Sequence, residues 1–198
     1  FDAMYGALVP VPEERVQVMD DGDSVMIGQR KLSFMDAPGH ARHHFTVWDE
    51  QTRGWFSGDT FGISYRSLDT ENGPMIFPTT TPIQFDPQAL VHSIDRMMSK
   101  NPEWMYLTHF GRVGELDRLA DQMRSDVRWF AELGESLEDS ENRTRDIEEA
   151  MMDGLYRRAR EHGVTHDEDT LRDILAGDVI LNTMGIEFWL DHGRQRQA

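Results

Sequence analysis

At 198 residues, with 38% hydrophobic and 28% charged side chains, the chain is long enough to bury a sizeable core as one domain or as a domain with an appendage. Its 36 acidic against 20 basic side chains, a net charge of −16, argue against sequence-independent binding to nucleic acid or to an anionic membrane, since both depend on Lys and Arg. No apolar run reaches the about 18 residues of a membrane-spanning helix, and with zero cysteines there are no disulfides and no thiolate chemistry, so a cytoplasmic location is expected.

Phe1 to Pro12 reads as an extended connection marked by Pro10 and Pro12. Val16 and Val18 begin a strand, Asp20-Asp21-Gly22-Asp23 turns it, and Val25-Met26-Ile27 returns. A second turn, Gly28 to Arg30, leads into a strand containing Leu32, Phe34 and Met35, which stops at Ala37-Pro38-Gly39 and delivers His40. His43 to Trp48 has the β-branched and aromatic content of another strand, and the polar loop Asp49 to Gly54 returns it as Trp55-Phe56-Ser57. Gly58-Asp59-Thr60 follows where that strand ends. Phe61 to Phe85 is rich in Gly, Pro and Thr, including Pro78-Thr79-Thr80-Thr81-Pro82. Such a loop either walls a substrate pocket with Tyr65, Arg66, Phe77 and Phe85, or simply packs Phe77 and Phe85 on the core.

Asp86-Pro87 starts a helix whose buried face is Leu90, Ile94 and Met97/Met98, ended by Asn101-Pro102. Trp104 to Leu107 is a short strand, followed by Thr108-His109-Phe110-Gly111. From residue 115 the pattern is helical throughout. Leu116, Leu119, Met123, Val127, Phe130 and Leu133 mark one amphipathic helix. A second runs from about Glu141 to His162 and stops at Gly163. Thr165 with Glu168 reads as a capping box for a third helix around Leu171 to Leu175, and Asp178 as the cap of a fourth through Leu190.

The chemistry gathers at three strand ends. Pro38-Gly39-His40, Ser57-Gly58-Asp59-Thr60 and Thr108-His109-Phe110-Gly111 each place one His or Asp where a rigid strand stops, and imidazole with carboxylate is the usual donor set of zinc. These motifs, in this order, resemble the later metal-binding motifs of the metallo-β-lactamase-fold metallohydrolases over roughly residues 16 to 112. The resemblance implies an α/β fold, part of a metallo-β-lactamase-type αβ/βα sandwich, over residues 1–114, with residues 115–198 as a helical extension packing on it. It implies that His40 completes one metal site, that Asp59 bridges two metals and takes the catalytic role, and that His109 completes the second site. The cofactor so implied is zinc, two ions per complete site, with iron as the alternative. The activity implied is hydrolysis of a small acyl, thioester or lactone-type substrate by metal-activated water. The acidic composition disfavours the nuclease branches of that family.

The family's His-x-His-x-Asp-His cluster is absent from this sequence. Together with the start at Phe1, this leads to the expectation that a family-like N-terminal half precedes the chain. The rival reading is a non-catalytic scaffold whose helical extension binds a partner or forms a homo-oligomer. His43 and His44, as strand neighbours, point to opposite faces, so at most one reaches the metal side, as a support for a ligand or a substrate contact. His44, Tyr65 and Arg66 are the substrate-binding candidates. His92, His162, His166 and His192 read as surface residues on or near helices.

Overall fold

A computed structural model of the chain describes residues 6–7, 9–80 and 84–192. Its centre is a six-stranded sheet in the order β1 (Ser24–Ile27), β2 (Arg30–Asp36), β3 (Phe45–Asp49), β4 (Gly54–Gly58), β7 (Trp104–Leu107), β8 (Gly111–Val113). All neighbours pair antiparallel except β4 and β7, which run parallel. A parallel pair needs a crossover. Here residues 59–103 provide it, with a small second sheet of β5 (Ile63–Ser64) and β6 (Ile76–Phe77), and helix α1 (Pro87–Met98) capped by the Asp86 carboxylate on Ala89 N–H at 3.0 Å. Because β2, β4 and β7 share one direction, their carboxyl ends lie on one rim of the sheet.

Alternation along the strands divides the sheet into two unlike faces. Met35, Trp48, Trp55, Met105 and Leu107 are buried with Leu90, Ile94 and Met97 of α1, and the buried Trp55 indole donates to the Met97 carbonyl at 3.0 Å. The opposite face carries Phe34, Val47, Phe56 and Tyr106 in register across four strands, with Phe45 beside them. Phe56 stacks on Tyr106 at 4.9 Å and Phe34 leans on Phe45 at 5.9 Å. Yet Phe45 remains 56% and Phe56 44% exposed, so an aromatic sheet face stands open to solvent.

Three helices follow: α2 (Leu116–Ser136), α3 (Arg143–His162) and α4 (Glu168–His192). Leu119, Met123, Val127 and Phe130 of α2 join the same core as α1 and β6, and Ile147, Met151, Leu171, Leu175 and Ile186 extend it between α3 and α4. Gly163 ends α3 in the left-handed conformation, as its position predicts. None of these helices is long and apolar enough to cross a membrane.

Several expectations are corrected. Val16 and Val18 form no strand and stand 56% and 84% exposed, β1 being the edge of the sheet with a partner on the β2 side alone. The third and fourth helices are one continuous α4. Leu171, Leu175, Val179, Ile186 and Leu190 keep one buried stripe through Gly177 and Asp178, and that burial outweighs the roughly 1 kcal/mol a helical glycine costs. The cap of α4 is Asp167, whose carboxylate accepts from Thr170 N–H at 2.9 Å, rather than Thr165. The loop from Phe61 to Phe85 contains β5 and β6, and Phe77 and Phe85 are buried in the core; Thr81 and Pro82 of that stretch lie outside the described residues, as do residues 1–5 and 8 of the expected extended start. His162 and His166 pin the crossover, to the carbonyls of Gly73 at 2.9 Å and Ser67 at 2.7 Å.

Candidate metal centre

His40, Asp59 and His109 follow β2, β4 and β7, so the shared strand direction brings them to the same rim. His40 Nε2 stands 3.6 Å from Asp59 Oδ2, and His109 Nε2 stands 3.6 Å from Asp59 Oδ1. Both separations exceed a hydrogen bond. Each oxygen of one carboxylate thus faces its own imidazole across a gap, and Asp59 Oδ1 is buried with no hydrogen-bond partner. His40 Nδ1 lies 2.9 Å from the Thr79 carbonyl, which can only accept, so Nδ1 carries a proton and Nε2 is the nitrogen turned toward Asp59.

Behind the carboxylate, His44 Nε2 accepts from the Asp59 backbone N–H at 3.2 Å. That makes Nδ1 the protonated nitrogen, which donates to Thr60 Oγ1 at 3.0 Å, while the Thr60 hydroxyl lies 3.4 Å from the Ala37 carbonyl. Burial and then the neighbouring His40 push the His44 pKa down, in keeping with a neutral ring held in one tautomer. The ring lies directly over Gly58, at φ 53°, where a Cβ would come within 2.3 Å of His44 Cε1. Only glycine admits both that conformation and that approach. His44 precedes β3 instead of lying in it, as does His43, so the strand alternation expected for the pair does not apply. Both His44 ring nitrogens are engaged within the protein, an arrangement that suits the first of its two expected places, support for the Asp59 segment.

Tyr65 and Arg66 part company. The Tyr65 hydroxyl donates to Asp178 Oδ2 of α4 at 2.6 Å, and its ring lies 4.8 Å from Phe110, the residue after His109. Burial and then the Asp178 contact push the Tyr65 pKa well up, whereas Asp178 is raised by burial against the opposing effects of Tyr65 and of His109. Phe110 holds a left-handed φ of 71°, a strained setting for an aromatic residue at the very end of the rim. Arg66 is drawn to Asp69 and the Arg112 carbonyl, each at 3.0 Å, and so pins the β8 side of the loop. The sequence marks Asp178 only as a helix cap and Thr60 only as the end of its motif, and Asn182, which supports the Thr79 segment, is signalled only as a polar residue set in the apolar run from Val179 to Leu190.

The donor set fits part of a metal centre. Two imidazoles and a bridging-capable carboxylate with an orphaned oxygen are suited to zinc or iron. Among the described residues, however, no three His, Cys, Asp or Glu side chains converge on a single point. Among those residues there are two His–carboxylate pairs sharing Asp59, so each candidate metal position has two protein donors where a catalytic zinc takes three.

Residues 2–109 match the family model described as Metallo-beta-lactamase superfamily. A curated protein of Sulfurisphaera tokodaii, described as metallo-beta-lactamase fold-containing, is 25% identical over 111 residues, 56% of this chain and 39% of that protein. A beta-lactamase-like protein 2 homolog of Caenorhabditis elegans is 39% identical over 46 residues, 23% of this chain and 16% of that protein. The solved archaeal metallo-beta-lactamase superfamily protein from Sulfolobus tokodaii superposes with a TM-score of 0.56 at 18% identity, covering 93% of this chain and 57% of its own. A metallo-beta-lactamase family protein from Thermus thermophilus superposes with a TM-score of 0.54 at 16% identity, covering 88% and 49%. Likeness at these identities speaks to the fold alone, and the chain spans about half the length of these solved structures.

Proposed function

Because the chain belongs to the metallo-beta-lactamase superfamily, we propose that it carries the His40, Asp59 and His109 portion of a dinuclear, zinc-dependent hydrolase site acting on a small acyl, thioester or lactone-type substrate. Membership of that superfamily supports a hydrolase-type or related function, and its members usually bind metals. The observation that carries the finer reading is the shared carboxylate: two Nε2 atoms at 3.6 Å from different oxygens of Asp59, one of those oxygens buried without a partner.

Bound zinc would supply Lewis-acid polarisation of the substrate carbonyl and an acidified water. The chain's own residues do the rest. His40 and His109 set their Nε2 atoms opposite the two oxygens of Asp59, which holds the two positions at a fixed separation. His44 fixes the Asp59 backbone through its amide, so the carboxylate is preorganised on a rigid strand end. Tyr65, hydrogen-bonded to Asp178 and packed on the half-exposed Phe110, forms a wall beside His109. The net charge of −16 favours a small substrate over a polyanion.

The remaining donors are proposed to come from a second αβ layer seated on the open sheet face of Phe34, Phe45, Val47, Phe56 and Tyr106. Partly exposed apolar side chains in register across four strands, three of them aromatic, are what such a layer would bury. The test is elemental analysis of the full-length protein, purified without chelators, beside His40→Ala and Asp59→Ala. About two zinc ions per chain, lost in the variants, are expected. A metal-free full-length protein would overturn the proposal in favour of a scaffold, and iron in place of zinc would move it from hydrolysis to redox chemistry.

A further inference from the structure

We infer that Asn182, from the middle of α4, is a positioning residue for His40, holding its imidazole in the tautomer whose Nε2 faces Asp59. This rests on the metal-site reading above and supplies the device that orients one of its ligands. Asn182 is 1% exposed, and its whole side chain is used on one short stretch of the crossover. Its Oδ1 accepts from Thr80 N–H at 2.7 Å, and its Nδ2 donates to the Pro78 carbonyl at 3.2 Å. The Thr80 hydroxyl lies 2.9 Å from the Asn182 carbonyl and 3.1 Å from Oδ1, so its single proton serves one of them at a time.

Between those two anchored residues sits Thr79, whose carbonyl receives His40 Nδ1–H at 2.9 Å. The direction of that carbonyl is set by the two peptide units that Asn182 grips. Gly185, one turn further along α4, permits the approach, since a Cβ there would lie 2.3 Å from the Thr80 carbonyl oxygen. A hydrogen bond from the second ring nitrogen to a fixed carbonyl is the usual means of orienting a metal-ligating histidine and choosing its tautomer. The helical extension therefore reaches the candidate centre through Asn182, the Pro78–Thr80 segment and His40 in turn. Removing the Asn182 side chain leaves the Thr80 N–H and the Pro78 carbonyl without this partner, and frees the segment to turn the Thr79 carbonyl away.

The test is imidazole tautomer assignment by long-range 1H–15N spectra of the metal-free 198-residue chain, in which each ring nitrogen reports its own protonation. The parent chain is expected to show His40 as the Nδ1–H form. Asn182→Ala is expected to convert it to a mixture dominated by Nε2–H, and Thr80→Val to shift it the same way by a smaller amount. Thr80→Ser, which keeps the hydroxyl, is expected to restore the parent spectrum, and Leu171→Ala, a loosened core position on the same helix, to leave the tautomer unchanged. In the full-length protein, zinc titrated alone should then bind at least about 10-fold more weakly to Asn182→Ala than to the parent. Retention of the Nδ1–H signature in folded Asn182→Ala and Thr80→Val would overturn the inference, as would an equal shift in Leu171→Ala. Failure of zinc to bind the full-length parent would count against the metal-site reading, while the tautomer result would still decide this one.

Discussion

The backbone amide of Asp59 donates to Nε2 of His44 across 3.2 Å, so the residue with the most exacting position at the rim is held by its main chain as well as by its strand. The same imidazole occupies the space a side chain at residue 58 would need. Gly58→Ala therefore meets two separable costs, a left-handed backbone and a collision with the ring. We expect about 2–4 kcal/mol of destabilisation in the parent chain, falling to about 1–2 kcal/mol when His44→Ala is already present. Urea unfolding of the double-mutant cycle measures this; equal costs in both backgrounds would show that the ring is not the obstacle.

Asp59→Asn removes a negative charge whose buried Oδ1 has no hydrogen-bond partner. The metal-free variant is expected to be at least as stable as the parent, because an unpaired charge is the dearer group to bury. With zinc added, the parent's unfolding temperature should rise and the variant's should stay where it was, by linkage of binding to the folded state. Thermal unfolding with and without zinc reads both effects, and a zinc-dependent rise in the variant would argue against the shared-carboxylate arrangement.

Asp49 is fully buried at the β3–β4 turn, where its carboxylate accepts from Arg30 Nε at 3.1 Å, Thr52 Oγ1 at 2.6 Å and Gln51 N–H at 3.2 Å. Burial pushes its pKa up, but these donors outweigh it and hold the group below the usual carboxylate value. A depressed folded-state pKa stabilises the fold above the unfolded value, about 3.9, and that contribution fades as pH falls through the folded one. The stability gap between the parent and Asp49→Asn should accordingly be full at pH 6–7 and close below about pH 4. Chemical denaturation across that range measures it, and a gap that widened on acidification would be the wrong sign.

Phe45 and Phe56 lie on the open sheet face and are about half exposed. The double substitution Phe45→Ser with Phe56→Ser should lower self-association and binding of an apolar dye by the 198-residue chain, at a cost in stability of no more than about 1 kcal/mol. Sedimentation and dye fluorescence test this. Where the proposed second layer covers them in a longer protein, the same pair should instead destabilise by several-fold more; equal effects with and without that layer would mean that the face is open in both.

The sequence determined the strand ends by itself. Pro38-Gly39, Gly58 and the step after Leu107 are local punctuation, so His40, Asp59 and His109 could be picked out, and α1, α2 and α3 followed from period and caps. The metallo-β-lactamase resemblance rested on those three short motifs, and the family match agrees with it. Tertiary structure decided the rest, because it depended on contacts between residues distant in the chain. Gly177 and Asp178 read locally as a helix break, yet the stripe from Leu171 to Leu190 is buried along its whole length, and burial carried the helix through. Asp178 then met Tyr65 over a separation of 113 residues and Asn182 met Pro78 and Thr80 over more than 100, which no period or spacing encodes. His44 is the clearest case: its type and place were visible in the sequence, but the direction of its ring was set by the Asp59 amide and the Thr60 hydroxyl, which reach it only when β2, β3 and β4 share a sheet.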